Sequence, residues 1–149
     1  FKEENTMYVK QISVFVENKF GRMAEILNAL AEKSIDISAL SLADTSEFGI
    51  LRLIVDKPEL AVEVLKEEGV IVKLSDILAI AVDDTPGGLA KALNVLTEAN
   101  VVIEYMYAFI GKADGKAMTV IRVDDEPKAI EALKNGGVAL LTTEDISAR

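Results

Sequence analysis

Hydrophobic and polar residues alternate at the start of the chain, and a helical pattern then replaces the alternation. Ile12, Val14 and Val16 share one side of residues 9–16, which is the period of a half-buried strand. After a turn, hydrophobic residues recur at helical spacing as far as about Lys33. These residues are Met23, Ile26, Leu27 and Leu30. The pattern predicts a strand followed by an amphipathic helix.

Two strands joined by a short turn are predicted next. The first runs from Ile35 to about Ala43, and the chain turns through residues 44–47. The second, Gly49–Val55, is apolar on both faces except at Arg52, as in the centre of a sheet.

A second helix and a last strand complete this first repeat. The helix opens near Pro58 and ends at Gly69, and a short strand follows at Val70–Leu74. From Leu78 the same order of elements begins again. The second repeat is predicted to hold a strand at 78–83, a helix at about 87–99, a strand at 101–110, a hairpin at Gly111–Gly115, a strand at 116–123, a helix at about 126–135 and a strand at 138–142.

The order of elements in each repeat is β-α-β-β-α-β. A unit with this order folds as a four-stranded antiparallel sheet with both helices on one face. We therefore predict an α+β fold made of two tandem ferredoxin-like βαββαβ units. Their predicted bounds are residues 8–76 and 77–146.

The strand predicted at Val101–Ile110 is apolar on both faces and carries a single charged residue, Glu104. A strand of this kind is usually covered on both sides. We therefore predict that the other repeat or a second chain covers it, and we expect a homodimer. Tyr105, Met106 and Tyr107 are interpreted either as core residues or as the wall of a ligand site.

The composition excludes many kinds of chemistry. The chain has no Cys and no His, so it lacks thiol nucleophiles, imidazole bases and the usual ligands of zinc and haem. We expect neither a cofactor nor a metal. The net charge of −9 comes without any basic patch, which disfavours binding to nucleic acid or to an anionic membrane. No apolar run has the length of a membrane span, and residues 1–6 lack the hydrophobic region of a signal peptide. We therefore expect a cytoplasmic protein. Its native start is either Met7 or a residue upstream of it.

A glycine turn joins strand to helix at the same place in both repeats. The first turn reads Asn18-Lys19-Phe20-Gly21-Arg22-Met23, and the second reads Asp84-Thr85-Pro86-Gly87-Gly88-Leu89. Unpaired N–H groups at a helix N-terminus attract a carboxylate, and glycine lets a ligand approach them. A turn of this kind is also a common helix cap without any ligand.

The two turns differ in their predicted details. In the second turn we expect Thr85 to cap the helix, Pro86 to occupy its first position and Gly87 and Gly88 to leave the amides uncovered. In the first turn, Lys19 and Arg22 are cations that could attract an anion.

With these turns in place, the chain resembles two ACT domains in tandem over nearly all of residues 8–146. ACT domains are small βαββαβ modules that bind amino acids and regulate metabolic enzymes. The sharpest part of the resemblance is Asp83–Leu89 followed by Val101-Val102-Ile103. The first repeat has Phe20 where the family motif has proline, and Val16 and Val82 stand where some members have a histidine.

The resemblance implies a ligand site made of a polar residue before the glycine, the glycine loop and a polar residue before the second strand. In the first repeat these are Asn18, Gly21 and Asp36. Asp36 is interpreted either as the partner of the ligand ammonium or as a solvated residue at the start of a strand. In the second repeat they are Asp84, Gly87 and Val102, and Val102 has no polar side chain. The first repeat is therefore the better polar site. The full set of predicted ligand-binding residues is Asn18, Lys19, Phe20, Gly21, Arg22, Met23, Asp36, Asp84, Thr85, Pro86, Gly87, Gly88 and Leu89.

The function that follows is a non-catalytic regulator that binds a small molecule, an amino acid, at sites between ACT-like repeats. A regulated metabolic enzyme would be a separate chain, and one variant is a regulatory subunit of an amino-acid biosynthetic enzyme. The alternative is an enzyme on the same scaffold, such as an acylphosphatase-type hydrolase. That chemistry needs an Arg in the first loop and an Asn on the adjacent strand, and Arg22 supplies half of it. An RNA-binding module is disfavoured because Gly49–Val55 presents no aromatic residues.

Overall fold

The computed structural model describes residues 7–44, 47–111 and 115–147 of the chain. These residues divide into two compact units. The first unit holds Lys10–Asp76 and also Ile146, and the second holds Ile77–Asp145 and also Tyr8 and Val9. The predicted bounds of 8–76 and 77–146 stay a prediction.

The first unit contains two complete strands, all of a third except its first residue, and two helices. Its elements are β1 (Val9–Glu17), α1 (Arg22–Glu32), β2 (Ile37–Asp44), β3 (Phe48–Val55), α2 (Pro58–Glu67) and the beginning of β4 (Ile71–Asp83). The strand β3 pairs with β1 on one side and with β2 on the other, so the predicted central position of Gly49–Val55 is confirmed. Beside β1 lies β4, and Lys10 Nζ of β1 is 2.7 Å from Asp76 Oδ1 of β4.

One face of this sheet is buried under both helices. Alternate residues of the strands, among them Ile12, Val14 and Leu53, pack with Ile26 and Leu30 of α1. This is the alternation from which strand and helix were predicted. Burial of such side chains is the main source of stability, at about 1.5–3 kcal/mol for each large one.

The second unit repeats this arrangement. Its elements are the end of β4, α3 (Gly88–Glu98), β5 (Ile103–Ala108), β6 (Lys116–Val123), α4 (Glu126–Asn135), β7 (Ala139–Leu140) and the start of α5 (Thr143–Ser147). Here β6 is the central strand between β4 and β5, and β7 pairs with the other side of β4. The strands enclose Ile80 and Ile121 against Leu96 of α3 and Leu133 of α4. The predicted α+β fold with two tandem ferredoxin-like units is confirmed.

Two predicted strands are one strand in the structure. We expected Val70–Leu74 and 78–83 to be separate, whereas β4 runs without interruption from Ile71 to Asp83. No glycine or proline lies between residues 70 and 83, so nothing in the local sequence breaks the extended backbone.

The strand predicted at 138–142 is shorter, and a short helix follows it. Only Ala139 and Leu140 form β7, and α5 was not predicted. The amide of Asp145 donates to Thr142 Oγ1 at 3.2 Å, and the amide of Thr142 donates to Asp145 Oδ2 at 2.8 Å. This reciprocal capping box starts the helix, and its sequence signature was present at residues 142–145.

The strand predicted at Val101–Ile110 is shorter in the structure, where it forms β5 at the edge of its sheet. Tyr105, Met106 and Tyr107 are half-buried, whereas Val102 and Ile110 are exposed. That the other repeat or a second chain covers this strand stays a prediction.

The centres of the turn predicted at 44–47 and of the hairpin predicted at Gly111–Gly115 lie outside the described residues.

Candidate functional site

The first glycine turn connects the end of β1 to α1. Gly21 has a φ of 79°, a left-handed conformation that favours glycine, and it is the N-cap residue of α1. The amide of Arg22 donates to the carbonyl of Lys19 at 3.1 Å, and the amide of Asn18 donates to the carbonyl of Glu47 at 3.2 Å. The turn is therefore held by main-chain hydrogen bonds, and the side chains of Asn18, Lys19 and Phe20 are exposed.

The second glycine turn has the same backbone geometry, which corrects two predictions. Gly87, with a φ of 86°, is the N-cap residue, and α3 begins at Gly88. Thr85 therefore does not cap the helix by its side chain, and Pro86 does not occupy its first position. Thr85 acts through its main-chain carbonyl instead, which accepts a hydrogen bond from the amide of Gly88 at 3.0 Å. The left-handed glycine, and neither Thr85 nor Pro86, therefore occupies the position at which the chain enters the helix.

Gly88 has a packing role that the sequence did not reveal. A Cβ atom added there would lie 2.0 Å from the carbonyl oxygen of Asp83, which leaves no room for a side chain. Its amide is also engaged by Thr85, so Gly88 does not leave an uncovered N–H group as predicted.

Arg22 is not a free cation, contrary to our expectation. Its Nη1 is 2.9 Å from Glu25 Oε2, and its Nη2 donates to the carbonyl of Glu68 at 2.8 Å. The side chain is only 18% exposed. Since both terminal nitrogens of the guanidinium are engaged by these partners, Arg22 is not poised as the anion-binding arginine that the hydrolase alternative requires.

Lys19 forms an ion pair with Glu17 at the start of the first turn, and Lys19 Nζ is 2.8 Å from Glu17 Oε2. The hydrogen bond and the positive charge of Lys19 lower the pKa of the Glu17 carboxyl, with a smaller contribution from Arg22. Both side chains are exposed, so the pair is a weak contribution to stability.

Asp36 lies far from the turn of its own unit. The end of β1 pairs at Phe48, at the beginning of β3, whereas the beginning of β2 pairs at Val55, at the end of β3. Seven residue steps of about 3.3 Å separate those two ends, a distance of about 23 Å. The amide of Asp36 donates to Asp56 Oδ1 at 2.9 Å, and the corresponding amide of Val102 donates to Asp124 Oδ1 at the same distance. The structure therefore does not bring Asp36 together with the turn in one unit.

A cavity of about 150 Å³, here named the first-turn cavity, lies beside the first turn. Three predicted residues line it, namely Asn18, Lys19 and Met23, together with Glu17. It is also lined by Val16, Leu42, Asp44 and Gly49, which were not among the predicted ligand-binding residues. The antiparallel pairing of β1 and β2 with β3 brings the end of β2 and the beginning of β3 close to the end of β1. This pairing is the signal that would have identified Asp44 and Gly49.

The second unit has a different cavity, here named the helix-gap cavity, of about 140 Å³. Of the predicted ligand-binding residues only Gly88 lines it. Its other lining residues include Asp83, Lys91 and Lys116, and also Gly136 and Gly137 from the loop after α4. An ion pair joins Lys116 to Asp83.

Two kinds of feature are absent from the described residues. No group of three or more Asp and Glu side chains within residues 7–44, 47–111 and 115–147 is placed to hold a metal ion. In the same part of the chain, no helix has the length and hydrophobicity needed to cross a membrane.

Comparison with known proteins assigns the family. Residues 7–148 match the model of the family described as an ACT domain pair. Comparison with curated proteins gives no match. A crystal structure of a protein from Bacteroides thetaiotaomicron is 41% identical in sequence with a TM-score of 0.89, over 97% of this chain and 99% of that chain.

Two further crystal structures show the same fold at lower identity. The regulatory subunit of aspartate kinase from Thermus thermophilus, in its ligand-free form, is 18% identical with a TM-score of 0.63, over 89% of this chain and 94% of that one. The corresponding subunit from Thermus flavus is 19% identical with a TM-score of 0.58, over 86% and 92% of the two chains. The resemblance to tandem ACT domains is thus confirmed, and the chain belongs to the family of ACT domain pairs.

Proposed function

We propose that this chain is a regulatory protein that binds a free amino acid, with the first-turn cavity as its ligand site. The observation that carries the proposal is the placement of carboxylate, ammonium and apolar groups around one cavity at the predicted turn. Membership of a family whose modules bind amino acids supports the class of ligand.

The charges of the cavity match those of an amino-acid zwitterion. Asp44 is exposed at the cavity and is the acceptor for the ligand ammonium, since the nearby Glu17 is already paired with Lys19. The remaining hydrogen-bonding capacity of the Lys19 ammonium, which has three donors, serves the ligand carboxylate. Asn18 supplies an amide that can bind either end of the ligand.

The main chain adds donors for the same carboxylate. At the start of α1 the amides of Arg22 and Glu25 are bonded to the carbonyls of Lys19 and Gly21. The amides of Met23 and Ala24 between them make no main-chain hydrogen bond with the described residues, as is usual in the first turn of a helix. The apolar walls made by Val16, Met23 and Leu42 would hold the ligand side chain.

The test is thermal unfolding of the protein with each common amino acid at millimolar concentration. A ligand at about 100 times its Kd adds about 2.7 kcal/mol to the free energy of unfolding, which raises the midpoint by several degrees. We expect one chemical class of amino acid to raise the midpoint and Asp44→Asn to abolish the effect. Glu63→Gln is the matched control, because Glu63 is an exposed carboxylate on α2 that does not line the cavity.

The outcomes separate the function from the site. If no amino acid raises the midpoint, the amino-acid-binding function is wrong. If the shift survives Asp44→Asn, the function stands and the first-turn cavity is the wrong site. The second turn, Asp84–Leu89, is then the next candidate.

The proposed partners are a second copy of the chain and a separate metabolic enzyme. Asp36 can contact the ligand of a first turn only from another copy of the unit, because its own turn lies at the other end of β3. Sedimentation measured with and without the amino acid tests the homodimer, and a single species at monomer mass under both conditions would contradict it.

A further inference from the structure

The two units differ at one place where their backbones correspond. In the first unit, Arg22 at the start of α1 reaches across to the carbonyl of Glu68 at the end of α2. Its position corresponds to Gly88 at the start of α3, and Glu68 corresponds to Gly136 at the end of α4. The second unit therefore lacks the side chain that spans this gap, and the helix-gap cavity lies there.

Packing restricts two of the glycines that line this cavity, Gly88 and Gly136. A Cβ atom at Gly136 would lie 2.8 Å from Cγ2 of Val95, and one at Gly88 would meet the carbonyl of Asp83. Neither position accepts a side chain without movement of its neighbours. A side chain that filled this gap as Arg22 fills the first would therefore require its neighbours to shift.

The charge at one position of the gap is also reversed between the two units. In the first unit, Glu25 receives the guanidinium of Arg22 at the gap. In the second unit Lys91 occupies the position that corresponds to Glu25, and Lys116 is a second cation at the cavity. Asp83 is the single carboxylate among the described residues that line the cavity, and it is paired with Lys116.

This arrangement selects an anion. Lys91 lines the cavity and forms no ion pair with the described residues, so its ammonium is available to a ligand. Two ammonium groups and one carboxylate leave an excess positive charge at the cavity. This charge disfavours binding of a cation in the place that the guanidinium of Arg22 occupies in the first unit. A charged hydrogen bond from ammonium to phosphate or carboxylate oxygen is among the stronger polar contacts in proteins. The volume, well below that of a cavity for a drug-sized molecule, limits the ligand to a small one.

We propose that the helix-gap cavity is a second ligand site that binds a small anion through a phosphate or carboxylate group. Lys91 is the main contact, and Lys116 contributes while it remains paired with Asp83. This site is separate in position and in charge from the first-turn cavity, and it does not depend on amino-acid binding there.

The test is a nuclear magnetic resonance titration of the full chain at constant ionic strength, with sodium phosphate in one arm, sodium acetate in another and sodium chloride in the third. We expect saturable shifts of the Gly136, Gly137 and Lys91 amides with phosphate, acetate or both. The two arms distinguish a phosphate site from a carboxylate site. Lys91→Glu should raise the dissociation constant about tenfold or more, as expected for loss of a charged hydrogen bond.

Lys134→Glu is the matched control, because it makes the same change of charge at an exposed position of α4 outside the cavity lining. The thermal midpoint of each variant shows that it folds. Shifts that do not saturate at millimolar anion, or that chloride reproduces, would overturn the proposal. An equal loss of binding in Lys91→Glu and Lys134→Glu would overturn it as well, since the effect would then be a diffuse one of net charge.

Discussion

The Nη2 atom of Arg22 donates to the main-chain carbonyl of Glu68 across 2.8 Å, which ties the first residue of α1 to the residue that follows α2. A carbonyl at the end of a helix has no partner within the helix, so this bond satisfies a group that would otherwise need water. The same guanidinium is held by Glu25. Arg22 is therefore a structural residue that joins the two helices of its unit.

Arg22→Met should lower the free energy of unfolding by about 1–3 kcal/mol, because it leaves a partly buried carbonyl without its charged donor. Glu25→Gln should cost less, about 0–1 kcal/mol, since Glu25 is 60% exposed and its ion pair is at the surface. Urea unfolding of the two variants measures both values. Equal losses in the two variants would show that the bond to Glu68 contributes nothing measurable.

The adjacent glycines of the second turn should respond differently to alanine. Gly87→Ala places a side chain in a left-handed conformation with open space around it, which costs about 1–2 kcal/mol. Gly88→Ala forces a Cβ atom against the carbonyl of Asp83, and we expect a larger loss of about 3 kcal/mol. Chemical denaturation compares the pair, and Gly21→Ala in the first turn should match Gly87→Ala. A Gly88→Ala variant as stable as Gly87→Ala would refute this packing role.

The ion pair between Asp83 and Lys116 should make the stability of the fold depend on pH. The hydrogen bond and charge of Lys116, with a smaller contribution from Lys91, lower the pKa of the exposed Asp83 carboxyl. A carboxyl whose pKa is lower in the folded state favours folding above its unfolded pKa, and this contribution is lost as the pH falls through the lowered value. Titration of the Asp83 carboxyl by carbon-13 resonance should show its pKa rising toward the ordinary value in Lys116→Met. Lys134→Met is the control, and it should leave the Asp83 pKa unchanged.

Local sequence patterns were sufficient for most of the fold. The alternation at Ile12, Val14 and Val16 and the helical stripe ending at Leu30 identified elements that pack on each other in the structure. The repeat of this pattern in the second half predicted the second unit. The same reasoning was wrong at β4, where two strands were predicted at the boundary between the repeats and the structure has one continuous strand. It also did not predict α5, although the sequence signature of its capping box is present.

The candidate sites were only partly predictable. The turn residues Asn18, Lys19 and Met23 were selected from the sequence and line the first-turn cavity. Asp44 was not selected, because it is distant along the chain and reaches the cavity through strand pairing.

By itself, the sequence determined the elements, their order and the existence of two similar units, because these depend on the spacing of apolar residues and on glycine in short segments of chain. Only the tertiary structure decided which polar groups meet. It bound Arg22 to Glu68, excluded a side chain at Gly88 and separated Asp36 from its own turn. These outcomes depend on distances between residues far apart in the chain, which strand pairing and helix packing set and which no local pattern encodes.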